Sequence, residues 1–467
     1  MYHVGNGVSK CQFVEKIQIF FDFLFPLIIT FAEMEDDNSM SQRILRTLET
    51  ILNNDPQLKE FVIIPCESNT KNKSPVLYEE HNIGLESWCV KHIYRHAYLE
   101  LFEVRKSLAK RKLSFAKQSN LNRLLIGVLL INPDVSTFWN MKRELVENDV
   151  IGVTNELIFS KMVLSYKSKS NEAFAYRRWL LGRILAKLQV NDLETPRNFL
   201  ENELGVCEMA ARRNANNYHA WTHRIWCIET LGTRIGNFTN VVSDELAFSE
   251  KWVSGHVSEH TGFHYRQYLL NTVRKSRRIT NVYEFYYCET IKILGLVSEN
   301  DPRDILTFLL GKDKFQGKPL EETINFVNFF CLLLYDMYNV VEMLNSVYPN
   351  HESIWYHRRF LVYNLVKTAH EYHGLAFKTD AKLDEVILYG TNIVNVDSSA
   401  FSDGEKQPKL FKSQLNKVQS SRLYQTLLKN EAEFIKKNLV QSSLFHELEL
   451  ARRYEKWLKF VVCMEDV

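Results

Sequence analysis

An aromatic residue followed three or four positions later by arginine recurs five times along this chain, each time just after a short apolar segment and a turn. The copies read Trp139-Asn-Met-Lys-Arg143, Phe174-Ala-Tyr-Arg177, Trp221-Thr-His-Arg224, Phe263-His-Tyr-Arg266 and Trp355-Tyr-His-Arg358. That spacing sets ring and guanidinium on one face of an α-helix. Five such faces predict a stack of helical hairpins, because a repeated unit of this size buries its apolar face only against its neighbours. The anchors 139, 174, 221, 263 and 355 are 35, 47, 42 and 92 residues apart. The first interval matches the ~34-residue period of tetratricopeptide-type repeats, and the longer ones imply insertions, chiefly 276–335.

The balance of residue types agrees. Of 467 residues, 45% are hydrophobic and 24% charged, as in globular chains. With 17 Gly and 10 Pro, turns are too few for an all-β architecture. The expected fold is all-α, a right-handed solenoid of helical hairpins forming a tetratricopeptide-like superhelix. A net charge of +2 gives no basis for a nucleic-acid partner. The eight cysteines contain no C-x-x-C, which fits reduced thiols in a cytoplasmic protein rather than a disulfide framework. His219 and His223 stand at i, i+4, with no cysteine or acidic ligand expected beside them, so no metal is expected on this chain.

The chain divides by pattern. Residues 1–33 hold the apolar run Ile17–Ala32, which is short for the ~20 residues of a membrane span. Three readings apply: an extension ahead of a true start at Met34, an anchor or signal, or a packed helix. Residues 34–115 carry N-terminal helices and an extended segment at Phe61–Pro65. Repeats one to four fill 116–275, a variable insertion 276–335 and the last repeat 336–370. A polar linker spans 371–421, and capping helices fill 422–467. Two basic features stand out in the fourth repeat's wake, Arg274-Lys-Ser-Arg277-Arg278 and a lysine-rich loop at 311–318.

A large ring at the start of a hairpin's second helix can wedge between its own hairpin and the next. An arginine one turn on can aim its fork at a carboxylate or at carbonyls ending a neighbouring helix. Trp139, Arg143, Phe174, Arg177, Trp221, Arg224, Phe263, Trp355 and Arg358 are therefore expected to be scaffold, with Asn217 as helix N-cap. The third copy, Asn216-Asn217-Tyr218-His219-Ala-Trp221-Thr-His-Arg224, carries more polar groups than stacking requires.

Hairpins bearing Asn-Tyr-x-x-Trp-x-x-Arg resemble the α subunits of protein prenyltransferases, over roughly residues 81–370. Gly84-Leu-Glu-Ser-Trp-Cys-Val-Lys91 and Ser258-Glu-His-Thr-Gly-Phe-His-Tyr-Arg-Gln267 are most similar to the branch that serves a third geranylgeranyltransferase. The resemblance implies a crescent of hairpins around a separate β subunit, that of the Rab geranylgeranyltransferase in this branch. Zinc and the isoprenoid diphosphate would sit on that partner, with no cofactor on this chain. The protein substrate would end in cysteine. Tyr218 and His219 match the family's Tyr-His and are the implied catalytic pair at the rim, with Asn216 and Tyr218 facing the diphosphate. Asn216 stands where farnesyltransferase-like members carry lysine. His264, Tyr265 and Arg266 are candidates for a substrate rim. A non-catalytic scaffold, or an escort for prenylated cargo, is the alternative on the same repeats.

Overall fold

The computed structural model describes residues 31–66, 74–108, 115–188, 192–275, 283–294, 320–372, 422–441 and 445–459. The expectations for residues 1–30, for Arg277-Arg278, for the loop 311–318 and for 373–421 lie outside them. The chain forms two compact units, Met1–Ala186 and Lys187–Val467.

The first unit opens with α1 (Phe31–Asn54), which runs through Met34 without a break, and then a small sheet of β1 (Glu60–Ile64), β2 (Val76–Glu79) and β3 (Asn82–Glu86). The extended reading of Phe61–Pro65 corresponds to β1; the other two strands are additional to an otherwise helical fold. β3 lies in the middle, parallel to β1 and antiparallel to β2. Phe61, Ile83 and Leu85 are buried, as expected of the covered face of a half-buried sheet. The helices α2 (Ser87–Leu108), α3 (Phe115–Ile131), α4 (Ser136–Glu147), α5 (Val153–Tyr166) and α6 (Asn171–Lys187) follow. β1 rests on α5, where the Phe61 amide donates to Ser165 Oγ at 2.8 Å and Lys161 Nζ donates to the Leu58 carbonyl at 2.8 Å.

The second unit continues the hairpins: α7 (Glu194–Arg213) with α8 (Tyr218–Thr230), and α9 (Phe238–Gly255) with α10 (His260–Lys275). Within 276–335 lie α11 (Tyr283–Leu294) and α12 (Leu320–Tyr335). The first helix of the last repeat, expected over Val340–Val347, is the end of a longer rod. It comprises α12, a π-helical stretch Asp336–Glu342 and α13 (Met343–Val347), and it pairs with α14 (Glu352–Tyr372). Phe326–Val347 is apolar and long enough to cross a membrane, yet most of it is buried by its neighbours, as in a core helix. The helices α15 (Arg422–Gln441) and α16 (Phe445–Trp457) close the described chain.

Candidate functional site

Within each of the two units the hairpins are joined by one recurring set of side chains. Two residues after four of the five anchor rings comes a second ring (Met141 stands there in the first copy), which engages a carboxylate on the first helix of its own hairpin. Tyr176 Oη donates to Glu156 at 2.8 Å, His223 Nε2 lies 2.8 Å from Glu203, Tyr265 Oη donates to Glu245, and His357 Nε2 lies 2.8 Å from Asp336. These pairs are 20, 20, 20 and 21 residues apart. The one extra residue falls where the helix is π-wound, starting at Asp336, since a π turn absorbs a single insertion.

The cation three residues after the anchor reaches the carboxylate of the next hairpin. Lys142 Nζ donates to Glu156 at 2.8 Å; Arg224 grips Glu245 through Nε and Nη2 at 2.6 and 2.7 Å. Arg266 Nε donates to Asp336 at 2.9 Å, and Arg358 grips Glu431 of α15 with two bonds of 2.8 Å. Each of these acids is thus held from two hairpins at once. Arg177, Arg224 and Arg266 also donate Nη1 to the carbonyls of Leu157, Leu204 and Leu246, which lie within helices and not at their ends. One turn past the acid, Phe159, Phe248 and Phe434 place their rings 4.2, 3.9 and 3.5 Å from Lys142, Arg224 and Arg358, a cation–π arrangement. The anchor rings meet the second ring of the following hairpin: Trp139–Tyr176 at 4.8 Å, Trp221–Tyr265 at 5.0 Å, Phe263–His357 at 5.3 Å and Trp355–Tyr454 at 5.6 Å.

Three sequence expectations are corrected here. The buried cation of the first copy is Lys142, not Arg143. Lys142 is fully buried, which pushes its ammonium below the usual range against the pull of Glu156; Arg143 turns instead to Asn140 and lies 5.7 Å from the Tyr176 ring. Tyr265 and Arg266 cannot form a substrate rim, because both are buried and bonded into the joints just described. Their neighbour His264 is half-buried, and burial lowers its pKa. Finally, an acid and a cysteine do lie beside His223: atoms of Glu203, His223 and Cys227 fall within 4.8 Å of one another. His223–Glu203 matches the Tyr–Glu pairs of the neighbouring hairpins, and Cys227 takes the place that buried Leu180, Leu269 and Leu361 hold in theirs. The trio is accounted for as a joint of the stack.

Above this buried layer, the α7–α8 turn faces outward. Asn217 caps α8, accepting from the Ala220 amide at 3.2 Å while its Nδ2 donates to the Ala210 carbonyl at 3.0 Å. Asn216 adopts the left-handed backbone region, φ 53°, which asparagine tolerates better than most residues. Its carbonyl accepts from the Tyr218 amide at 2.9 Å. Tyr218 is 62% exposed, its ring set edge-on to half-buried His219 at 5.8 Å. One turn further in, Trp221 is buried and its indole donates to Glu259 at 3.0 Å. The same carboxylate takes Trp252 Nε1 at 2.8 Å, so the turn is backed by a rigid wall.

The acids Glu156, Glu203, Glu245, Asp336 and Glu431 and the lysine Lys142 were absent from the sequence reading. The signal of the acids was a near-constant separation from the second ring; that of Lys142 was its place three residues after the anchor.

A family model described as "Protein prenyltransferase alpha subunit repeat" matches residues 153–184, 200–231, 242–273 and 334–365. These segments correspond to α5–α6, α7–α8, α9–α10 and the rod end with α14. Among curated relatives, protein prenyltransferase alpha subunit repeat-containing protein 1-B of Xenopus laevis is 29% identical over 454 residues, covering 91% of this chain and 98% of the relative. Protein prenyltransferase alpha subunit repeat-containing protein 1 of Homo sapiens is 30% identical over 335 residues, covering 69% of this chain and 77% of the relative. A more distant likeness, 25% over 190 residues, is to geranylgeranyl transferase type-2 subunit alpha of Homo sapiens, covering 38% of this chain and 30% of that protein. The fold is accordingly the helical solenoid of the prenyltransferase α subunits, and the chain belongs to the protein prenyltransferase alpha subunit repeat family.

Proposed function

We propose that this chain is the α subunit of a heterodimeric protein prenyltransferase of the cytoplasm. Its assembly would move a geranylgeranyl group from its diphosphate to a C-terminal cysteine of a protein substrate. The geranylgeranyl donor is supported by the name of the more distant human relative, geranylgeranyl transferase type-2 subunit alpha, and the proposed partner is a β subunit like that of the Rab geranylgeranyltransferase. Zinc and the diphosphate would be held by that partner, where zinc favours the substrate thiolate.

The observation that carries the reading is the third turn. It offers Tyr218 outward from a helix whose inner face is locked by Trp221, His223 and Arg224. A phenol held on such a support donates to a leaving diphosphate oxygen as charge grows on it, with His219 beside it. The scaffold or escort reading is favoured by one feature, Asn216 in place of lysine, which withholds a cation from that leaving group.

The test is co-purification of a stoichiometric β-type chain, followed by single-turnover transfer to a cysteine-ended peptide. Tyr218→Phe should slow transfer by about tenfold, below the ~10²–10³-fold of an enclosed site. Asn216→Lys should speed it, once an intact dimer is verified, because lysine at this φ costs roughly 1–2 kcal/mol. Rates within twofold for both variants would assign all chemistry to the partner and leave this chain as scaffold.

A further inference from the structure

We propose that the outer edge and open face of the small sheet form a docking site for an extended peptide that carries aliphatic residues flanked by lysine or arginine. The proposal stands apart from the transferase reading. Among the described residues β2 pairs only with β3. The register, Leu77 opposite Gly84 and Glu79 opposite Asn82, together with the Glu86 amide donating to the Pro75 carbonyl at 3.0 Å, fixes which groups the ladder uses. Odd-numbered residues of β2 bond to β3, so the N–H and C=O groups of Val76 and Tyr78 point away from it along the free edge. Such an edge is a template for a further strand.

The face beside that edge is apolar and open. Val62, Ile64 and Leu77 surround Gly84 in a shallow hollow of about 440 Å³. Leu77 is 48% exposed. Gly84 makes the hollow: a Cβ there would lie 2.5 Å from Ile64 Cδ1 and 3.4 Å from Leu77 Cβ. The rim at the turn is acidic, with Glu79 and Glu80 both exposed. The exposed base Lys59 leads into β1 on the other side of β3, its amide donating to the His81 carbonyl of the turn at 2.8 Å. A strand laid against β2 would set one side chain beside Leu77 and, two residues on, another beside Glu79. The matching sequence is an aliphatic residue, any residue, then lysine or arginine.

The edge is also held rigid. The two central residues of the β2–β3 turn, Glu80 and His81, have φ of 47° and 69°, a conformation usually left to Gly or Asn. Asp55 secures it: Tyr78 Oη donates to its Oδ2 at 2.9 Å, His81 Nδ1 lies 2.9 Å from the same oxygen, and the Gln57 amide donates to Oδ1 at 2.8 Å. A preorganised strand loses little freedom when a partner adds to it.

The test is fluorescence anisotropy with a labelled heptapeptide, Lys-Thr-Val-Thr-Val-Thr-Lys, titrated with the full chain in whatever assembly it purifies. Saturable binding is expected. It should weaken about three- to tenfold when both lysines of the peptide become glutamate, or in Glu79→Lys/Glu80→Lys, and disappear when the central peptide threonine becomes proline. Leu77→Lys should weaken it by about tenfold. Val76→Pro removes one outward N–H without touching the ladder, and should also weaken it while the melting temperature holds. Absence of binding, or binding indifferent to charge, proline and Leu77, overturns the proposal. Binding only after removal of residues 1–30 also overturns it, because the chain's own N-terminal segment would then be the occupant.

Discussion

Two joints in the second unit share one plan and differ in the ring that meets the acid, as well as in the acid itself. At the first, Glu245 is held by Arg224 and Tyr265; at the second, Asp336 is held by Arg266 and His357. At the tyrosine joint the ring's contribution is lost at the alkaline end. Burial and the neighbouring Glu245 push the Tyr265 phenol well above its ordinary value. Its contribution is therefore complete below the unfolded pKa near ~10 and is lost as pH rises beyond that. The histidine joint fails at the other end. Burial holds the His357 pKa below the usual imidazole value, against the pull of Asp336. Below the unfolded value of about 6.5 the unfolded chain accepts a proton that the fold refuses, so stability falls with pH. Burial would raise the Asp336 pKa, but Arg266 and His357 outweigh it and hold the carboxyl low. Its share is present above about 3.9 and is lost as pH drops through the folded value. The same mechanical part thus sets opposite pH limits, according to whether phenol or imidazole fills it.

The largest effect should come from Arg266→Met, which leaves Asp336 buried without its main cation. A loss of about 3–5 kcal/mol in denaturant unfolding is expected. Arg266→Met with Asp336→Leu should regain much of it, and a double variant no better than the single would break the ion-pair account. At the tyrosine joint, Trp221→Ala empties an aromatic site against Tyr265 and should cost about 3–4 kcal/mol. An unchanged melting temperature would show that the ring contributes nothing to the joint. Tyr265→Phe should cost less, about 1.5 kcal/mol, because Arg224 keeps both bonds to Glu245; a loss as large as that of Arg266→Met would erase the distinction between ring and cation. The smallest and most specific effect is on slope. Stability measured from pH 7 to 4.5 should decline less steeply in His357→Gln than in the unchanged chain, whereas Tyr265→Phe should keep the original slope. Equal slopes in all three would remove His357 as a source of acid sensitivity.

What could be read from the linear chain was the part that repeats in one residue type. A large ring and an arginine one turn apart stand out from composition, so the hairpins and their anchors were visible. The acids were not, because glutamate is common on any helix surface and nothing in Glu245 or Glu203 alone marks it as buried; only the shared 20-residue interval to the second ring does. Lys142 was passed over for Arg143 because the other four copies use arginine at the third position. Tyr265 and Arg266 looked like rim residues for the opposite reason: polar groups suggest a surface until their partners in another hairpin are known. The sheet was partly hidden by its turn, in which Glu80 and His81 stand where Asn-Gly would signal a hairpin. Tyr218 and Asn216 were legible as unusual for stacking, and the structure places Tyr218 outward.

The sharing of Glu156, Glu245, Asp336 and Glu431 between two hairpins gives the stack within each compact unit a direction of growth. A hairpin can set its own acid against its own ring over only 20 residues, a local closure available as soon as that segment exists. The second clasp on these four acids comes from the hairpin before, so each of those hairpins is finished by its predecessor. At the far end, Tyr454 donates to Glu431 at 2.6 Å and completes one more acid-and-ring set. The next position, however, is Glu455, paired with Lys459 at 2.7 Å. A carboxylate thus stands where the other hairpins carry a cation, and the clasp that those cations extend to a following acid has no counterpart at this position of α16.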